Sequence, residues 1–128
     1  MAEMADQMSG KELVKRARKA AKRYLERIGY DIEETRYECP FGTADIVARD
    51  GNCLVFVEVV TNTVVDHGFP PSVLEPEHVA EREMVAASYL ADLAESDFPV
   101  RFDVVSLLVV GADRAFLRHH IDALGGAF

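Results

Sequence analysis

Cys53-Leu54-Val55-Phe56-Val57-Glu58-Val59-Val60 is apolar at seven of its eight positions, and most of these are β-branched or aromatic. A run with no polar side has no solvent face, so it reads as a central strand covered on both sides. Glu58 is the exception. Its same-face neighbours are Phe56 and Val60, so an ionised carboxylate there loses hydration. A cation, a metal or hydrogen-bond donors must replace the lost water.

Upstream, Thr43 to Arg49 reads as a partner strand, and Asp50-Gly51 is a two-residue hairpin signal. With those two residues as the loop, Arg49 faces Asn52 and Asp45 faces Phe56. Asp45 and Glu58 are then diagonal neighbours on one face of the sheet, roughly 7–8 Å apart. Two carboxylates at that spacing, beside the carbonyl of Val59, make an oxygen cage suited to a divalent cation such as Mg²⁺. A three-residue loop without a bulge would place them on opposite faces.

Three segments, Gly42-Thr43-Ala44-Asp45-Ile46-Val47-Ala48, Phe56-Val57-Glu58-Val59 and Arg101-Phe102-Asp103-Val104-Val105, resemble the landmarks of the YraN-like family of endonuclease-like proteins. The resemblance runs from about Tyr24 to His119-His120-Ile121. It implies a restriction-endonuclease-like fold and a site built from an Asp, a Glu-x-Lys and a Glu on the first helix. The Asp falls on Asp45 and the Glu of Glu-x-Lys on Glu58. Elsewhere the chain departs from the family pattern. Val60 stands in place of the lysine, Thr43 in place of a Glu beside the strand glycine, Asn62 in place of an Arg, and Arg18 in place of the helix Glu. His78-Val79 occupies the place of a Lys-Gln pair. The resemblance therefore implies a kept scaffold with a degenerate site. Asp45 and Glu58 remain as a catalytic and metal-binding remnant that holds a cation weakly or not at all. No cofactor is expected, and Mg or Mn would serve if the site were active.

A chain of 128 residues that is 49% hydrophobic can build one sizeable core. Residues 1–8 read as a loose tail and residues 9–128 as one domain. No apolar run has the length of a membrane span, and the first ten residues lack a signal-peptide layout. A cytoplasmic protein with no membrane partner is expected. Cys39 and Cys53 are isolated in sequence and read as buried, reduced thiols.

The net charge of −8 argues against a protein that simply coats nucleic acid. The distribution is less one-sided. Between Lys11 and Arg27 stand eight basic and two acidic residues, which leaves −14 on the rest of the chain. All four lysines, Lys11, Lys15, Lys19 and Lys22, lie in this segment and are the candidate nucleic-acid contacts. The plainer reading of the same face is a solvated helix surface.

Ser9-Gly10-Lys11-Glu12 matches a capping box, opening a helix that runs to about Ile28 and stops at Gly29. Leu13, Val14, Ala17, Ala20, Ala21, Tyr24, Leu25 and Ile28 fill one arc of that helix. Arg18 lies at the seam, next in angle to Leu25, and its planar fork is expected to reach Asp45, Glu58 or both. Asp31 to Glu38 alternates as an outer strand, followed by a turn over Cys39 to Gly42. Thr61 to Glu75 reads as a loop containing His67. A second helix is predicted from Pro76 to about Glu95, with Val79, Ala86, Leu90 and Leu93 inward and Glu77, Glu81, Asp92 and Glu95 outward. Arg101 to Val110 is a buried strand, residues 111–113 a turn, and Arg114 to Ile121 a last strand. His119 and His120 point to opposite faces and cannot share one metal.

This order, αβββαββ with long connections, gives an α/β fold with a mixed central sheet flanked by helices. The function that fits best is a nuclease-fold protein of the nucleic-acid-binding class with an inactive phosphodiesterase site, engaging nucleic acid through its first helix. Two alternatives stand beside it. One is an active Mg- or Mn-dependent endonuclease whose basic residue has moved to Arg18 or Lys22. The other is a non-enzymatic module that engages a basic protein partner through its acidic surface.

Overall fold

The computed structural model of the protein describes residues 10–62, 76–93, 97–110 and 114–123. Outside them lie the tail 1–8, the Ser9 half of the capping box, the His67 loop, Glu95 and the turn 111–113. Helix α1 (Gly10–Arg27) leads into strands β1 (Asp31–Cys39), β2 (Gly42–Asp50) and β3 (Cys53–Asn62). Helix α2 (Pro76–Ala91) and strands β4 (Val100–Val109) and β5 (Ala115–His120) follow. The five strands form one sheet in the order β1-β2-β3-β4-β5. Only the β3–β4 pair is parallel, and the others are antiparallel. This is the α/β class and mixed sheet that the sequence pattern predicts, consistent with a restriction-endonuclease-like core.

Among the described residues each face of the sheet carries one helix. Ala17, Ala21 and Leu25 of α1 pack on Ile46, Ala48, Val55, Val57, Val105 and Leu107. Val85, Ala86 and Tyr89 of α2 pack on Val47, Leu54, Phe56 and Phe102. Because alternate residues of β3 enter opposite cores, its buried stretch Leu54 to Val57 is apolar on both sides. At about 25 cal/mol per Å² of apolar surface removed from water, these two cores supply the main driving force for folding.

Several details differ from the sequence-based expectation. The β2–β3 loop is Gly51-Asn52, since Asp50 pairs with Cys53. Gly51, at φ 62, provides the left-handed first position of a type II′-like turn, which a Gly-Asn loop suits. The register moves by two residues, an even step that keeps the faces of the paired residues Ile46 to Asp50. Thr61 and Asn62 continue β3 rather than opening a loop. Helix α2 ends at Ala91, short of the expected end near Glu95. Its buried residues are Val85, Ala86 and Tyr89, while Leu90 and Leu93 only border the core. Val14 and Ile28, expected inward, are 47% and 46% exposed. Cys39 and Cys53 are free thiols, each half-buried, and burial pushes the Cys53 thiol up.

Asp103 on β4 anchors a polar network inside the α1-side core. It is 1% exposed. Its Oδ1 accepts from Arg101 Nε and from the backbone N–H of Asp122, both at 2.9 Å. Its Oδ2 accepts from His119 Nε2 at 2.7 Å and Arg101 Nη2 at 3.1 Å. The other nitrogen of His119 meets the Tyr24 hydroxyl at 3.0 Å. Five segments are tied through one carboxylate: α1, the Tyr30 turn, β4, β5 and the turn after it. Burial alone would raise the pKa of Asp103, but the bonds from His119, Arg101 and Asp122 outweigh it and hold the group below its ordinary 3.8.

Removing this anchor leaves Arg101 and His119 facing a buried gap. Asp103→Ala should lower stability by about 3–5 kcal/mol in denaturant titration. A depressed folded value also fixes the sign of the pH effect: the wild-type contribution is present above about pH 4 and is lost on further acidification. The Asp103→Ala chain should therefore show a shallower acid-induced loss of stability than wild type.

Candidate functional site

The candidate site lies where β2 and β3 part. Their pairing is regular from Asp50↔Cys53 to Ile46↔Val57. Beyond that point β2 stays with β1 to Cys39↔Gly42, whereas β3 stays with β4 to Asn62↔Leu108. Asp45 sits at the crotch of this fork. Ala44 belongs to the α2-side core and Ile46 to the α1-side core, although strict alternation would give them one face. The Asp45 side chain lies between those faces, and its Oδ2 accepts the backbone N–H of Val59 at 2.8 Å. A side-chain carboxylate thus takes the place of a ladder carbonyl, which explains why pairing stops here.

Asp45 and Glu58 come to this same fork, but different side chains hold them. Nη2 of Arg18 lies 3.7 Å from Asp45 Oδ1, an ion pair longer than a hydrogen bond, with both side chains about a fifth to a quarter exposed. Glu58 is held from the other helix, its Oε1 2.7 Å from Nε2 of His78. The expected planar fork of Arg18 on the carboxylates is therefore a single loose approach to Asp45. His78 was seen in the sequence only as a departure from a Lys-Gln pair. Its third place in a helix beginning at Pro76 turns it toward the ends of the central strands.

Arg82, one turn further along α2, donates from Nη1 to the carbonyl of Thr43. Gly42 makes this approach feasible. Its φ is 147, and a Cβ there would lie 2.5 Å from Glu81 Oε1 and 3.0 Å from Arg82 Nη2. Thr43 contributes its backbone to the site, where the family pattern places an acid. Val60 packs on Val104 at 9% exposure, an apolar contact that a lysine would break.

Such a donor set does not fit a divalent cation as it stands. One oxygen of Asp45 is engaged by an N–H, the other faces a guanidinium, and Glu58 is taken by an imidazole. The cavity beside Glu58 and Arg82 is about 10 Å³, room for about one water. A Mg²⁺ ion would need an octahedral shell that usually retains several waters. Among the described residues no group of three or more His, Cys, Asp or Glu side chains could hold a metal.

The lysines divide. Lys11 and Lys15 line a groove with Arg18, whereas Lys19 sits with Arg16 and Arg23 on the outer face, and Lys15 borders both. Lys22 is half-buried. His119 and His120 point to opposite sides, His119 to Asp103 and His120 to Ser106, where their imidazole nitrogens meet oxygens at 2.7 and 3.2 Å.

A family model described as Uncharacterised protein family UPF0102 matches residues 17–107, a span holding Arg18, Asp45, Glu58, His78 and Asp103. The chain belongs to this family. A UPF0102 protein of Geobacter sulfurreducens is 34% identical over 105 residues, 82% of each chain. A UPF0102 protein of Beutenbergia cavernae is 38% identical over 101 residues, 79% of this chain and 86% of that one. The UPF0102 match agrees with the YraN-like landmarks in the sequence.

An ion pair of this length and exposure falls between the surface case, worth about 0–1 kcal/mol, and the buried case, worth about 3–5. Arg18→Ala should cost about 1–2 kcal/mol in thermal or chemical unfolding. Arg16→Ala, at an exposed position, should stay within about 0.5 kcal/mol of wild type. Equal effects of the two would show that the contact with Asp45 does not matter for stability.

Proposed function

We propose that this UPF0102 protein is a nucleic-acid-binding protein of nuclease-like ancestry whose phosphodiesterase site no longer turns over. The observation that carries the reading is the separate engagement of the two carboxylates, Asp45 by the Arg18 guanidinium and Glu58 by the His78 imidazole. Metal-dependent hydrolysis requires a cation that lowers the pKa of water and stabilises charge in the transition state. Here the protein's own side chains and backbone engage the carboxylate oxygens from which a metal would be held. The lysine that would orient the attacking water is replaced by a valine packed into the sheet. Binding through the basic face of α1 survives these changes, because it depends on phosphate neutralisation alone.

One observation favours a second reading. Arg18 lies near enough to Asp45 to act as the missing basic group once a metal has displaced their pairing. In that case the protein is an active Mg- or Mn-dependent endonuclease with a relocated cation. Incubation of single-stranded, branched and duplex substrates with Mg²⁺ or Mn²⁺ separates the two readings. No cleavage is expected. Cleavage abolished by both Asp45→Asn and Arg18→Ala would establish the second.

Calorimetric titration should detect no Mg²⁺ binding at ordinary millimolar concentrations. Micromolar binding removed by Asp45→Ala would overturn the reading. Val60→Lys should remain inactive, because groups that act as one catalytic unit are strongly non-additive and Thr43, Arg18 and His78 still depart from the family pattern. Robust metal-dependent cleavage by that single variant would show that the scaffold needs only one group to recover.

A further inference from the structure

Arg18 has a second neighbourhood besides Asp45. With Gly10, Lys11, Val14, Lys15 and Arg36 it lines an open groove of about 530 Å³ between the first turns of α1 and strand β1. At 100° per residue, Lys11, Lys15, Arg18 and Lys22 fall within an arc of about 60°, so they form one straight stripe along α1. The groove's own cations on α1 run from Lys11 to Arg18, a helical rise of about 10 Å. That length matches about three steps of the 3.4 Å axial charge spacing of one strand in a duplex.

Arg36 forms the opposite wall, and its backbone is unusual. Between the pairs Thr35↔Ile46 and Tyr37↔Ala44, directly across from Asp45, Arg36 adopts φ 56. A β-carbon makes this left-handed conformation unfavourable, and glycine would adopt it without strain. The strained position nonetheless carries a guanidinium whose side chain is 65% exposed, with Glu38 at 3.2 Å as its protein partner. Arg18 at the inner end is incompletely satisfied. Among the described residues its buried Nε has no hydrogen-bond partner, and its Nη2 lies 3.7 Å from Asp45 Oδ1. An oxyanion in the groove would give this guanidinium the paired geometry it lacks. Among the described residues no aromatic side chain lines the groove, so these offer charge without a base-stacking platform.

We infer that this groove is a track for the phosphates of one nucleic-acid strand, gripped without regard to sequence, and that Arg18 at its inner end exchanges between Asp45 and a phosphate. The inference rests on the nucleic-acid-binding reading above and adds the surface, the register and a coupling to the site. Strand binding draws Arg18 away and leaves Asp45 uncompensated, while loss of the Asp45 charge frees Arg18 for the strand. The two events are linked, so each affects the other by the same factor.

Fluorescence anisotropy of labelled single strands and duplexes of two unrelated sequences, titrated with salt, tests this. Four groove cations predict a log–log slope of about −4 on duplex and about −3 on single strand, equal for both sequences. Lys15→Ala and Arg36→Gly should each reduce the slope by about one. Arg36→Gly should also leave the thermal midpoint unchanged or higher, which separates loss of the cation from loss of the fold. The paired change of Lys19 and Arg23 to alanine should affect the slope less than either groove variant, and Asp45→Asn should tighten binding several-fold.

Wild-type binding by the Lys15 and Arg36 variants, with loss on changing Lys19 and Arg23, would move the strand to the outer face of α1. That result overturns the groove and leaves the general reading standing. Unchanged or weaker binding by Asp45→Asn overturns the exchange. Absence of salt-dependent binding to every nucleic acid, or tighter binding to vesicles containing phosphatidylserine, overturns both the groove and the function it rests on.

Discussion

The bond from the backbone N–H of Val59 to the Asp45 carboxylate is the point on which the arrangement of the site turns. An antiparallel ladder continues while each strand offers carbonyls to its neighbour, and it stops when a side chain takes that role. By taking it, Asp45 releases β2 from β3 while β4 holds β3 in place. The opening is thus narrow and anchored on both sides. One prong is fixed by β1 and the other by a nine-residue parallel register with β4. Carboxylates placed at such a crotch lose part of their hydration, so polar partners have to come to them.

Those partners come from two helices on opposite faces of the sheet. A single lysine on β3 would have served both carboxylates from within the strand, but Val60 has joined the apolar packing with Val104. Arg18 reaches Asp45 from α1 and His78 reaches Glu58 from α2. The fork becomes a place where the two helices are electrostatically joined through the sheet. The Asp103 network differs in kind. Its carboxylate has four donors within 3.1 Å and little exposure, so it is a closed structural unit, whereas the fork keeps a loose contact and an unsatisfied guanidinium nitrogen.

The fold was legible because its signals are periodic and redundant. Leu54, Val55, Phe56 and Val57 announce a strand covered on both faces, and Ala17, Ala21 and Leu25 mark a helix seam; both readings tolerate an error of one residue. The hairpin loop was displaced by one position, because Gly51 serves as the first loop residue rather than the second. Period-two alternation made that error harmless for the faces. Arg18 could be assigned to the fork because its angle on α1 is a one-dimensional property of the sequence. His78 could not be assigned to Glu58 in the same way, since the pairing depends on how α2 docks across the sheet after a long connection. The left-handed Arg36 was invisible for a different reason: no composition or spacing rule places a β-substituted residue there, and only the backbone reveals it.

The concentration of positive charge has a consequence for how the molecule meets other charged bodies. Eight of its fourteen lysines and arginines lie on α1, and every lysine is among them, while the remainder of the chain carries a large negative excess. The molecule is therefore a strong electric dipole whose sign reverses across its own width. A polyanion repels most of this surface and attracts one strip. Encounters then become selective in orientation before any contact forms, with the acidic body acting as a rudder that turns α1 toward the approaching charge.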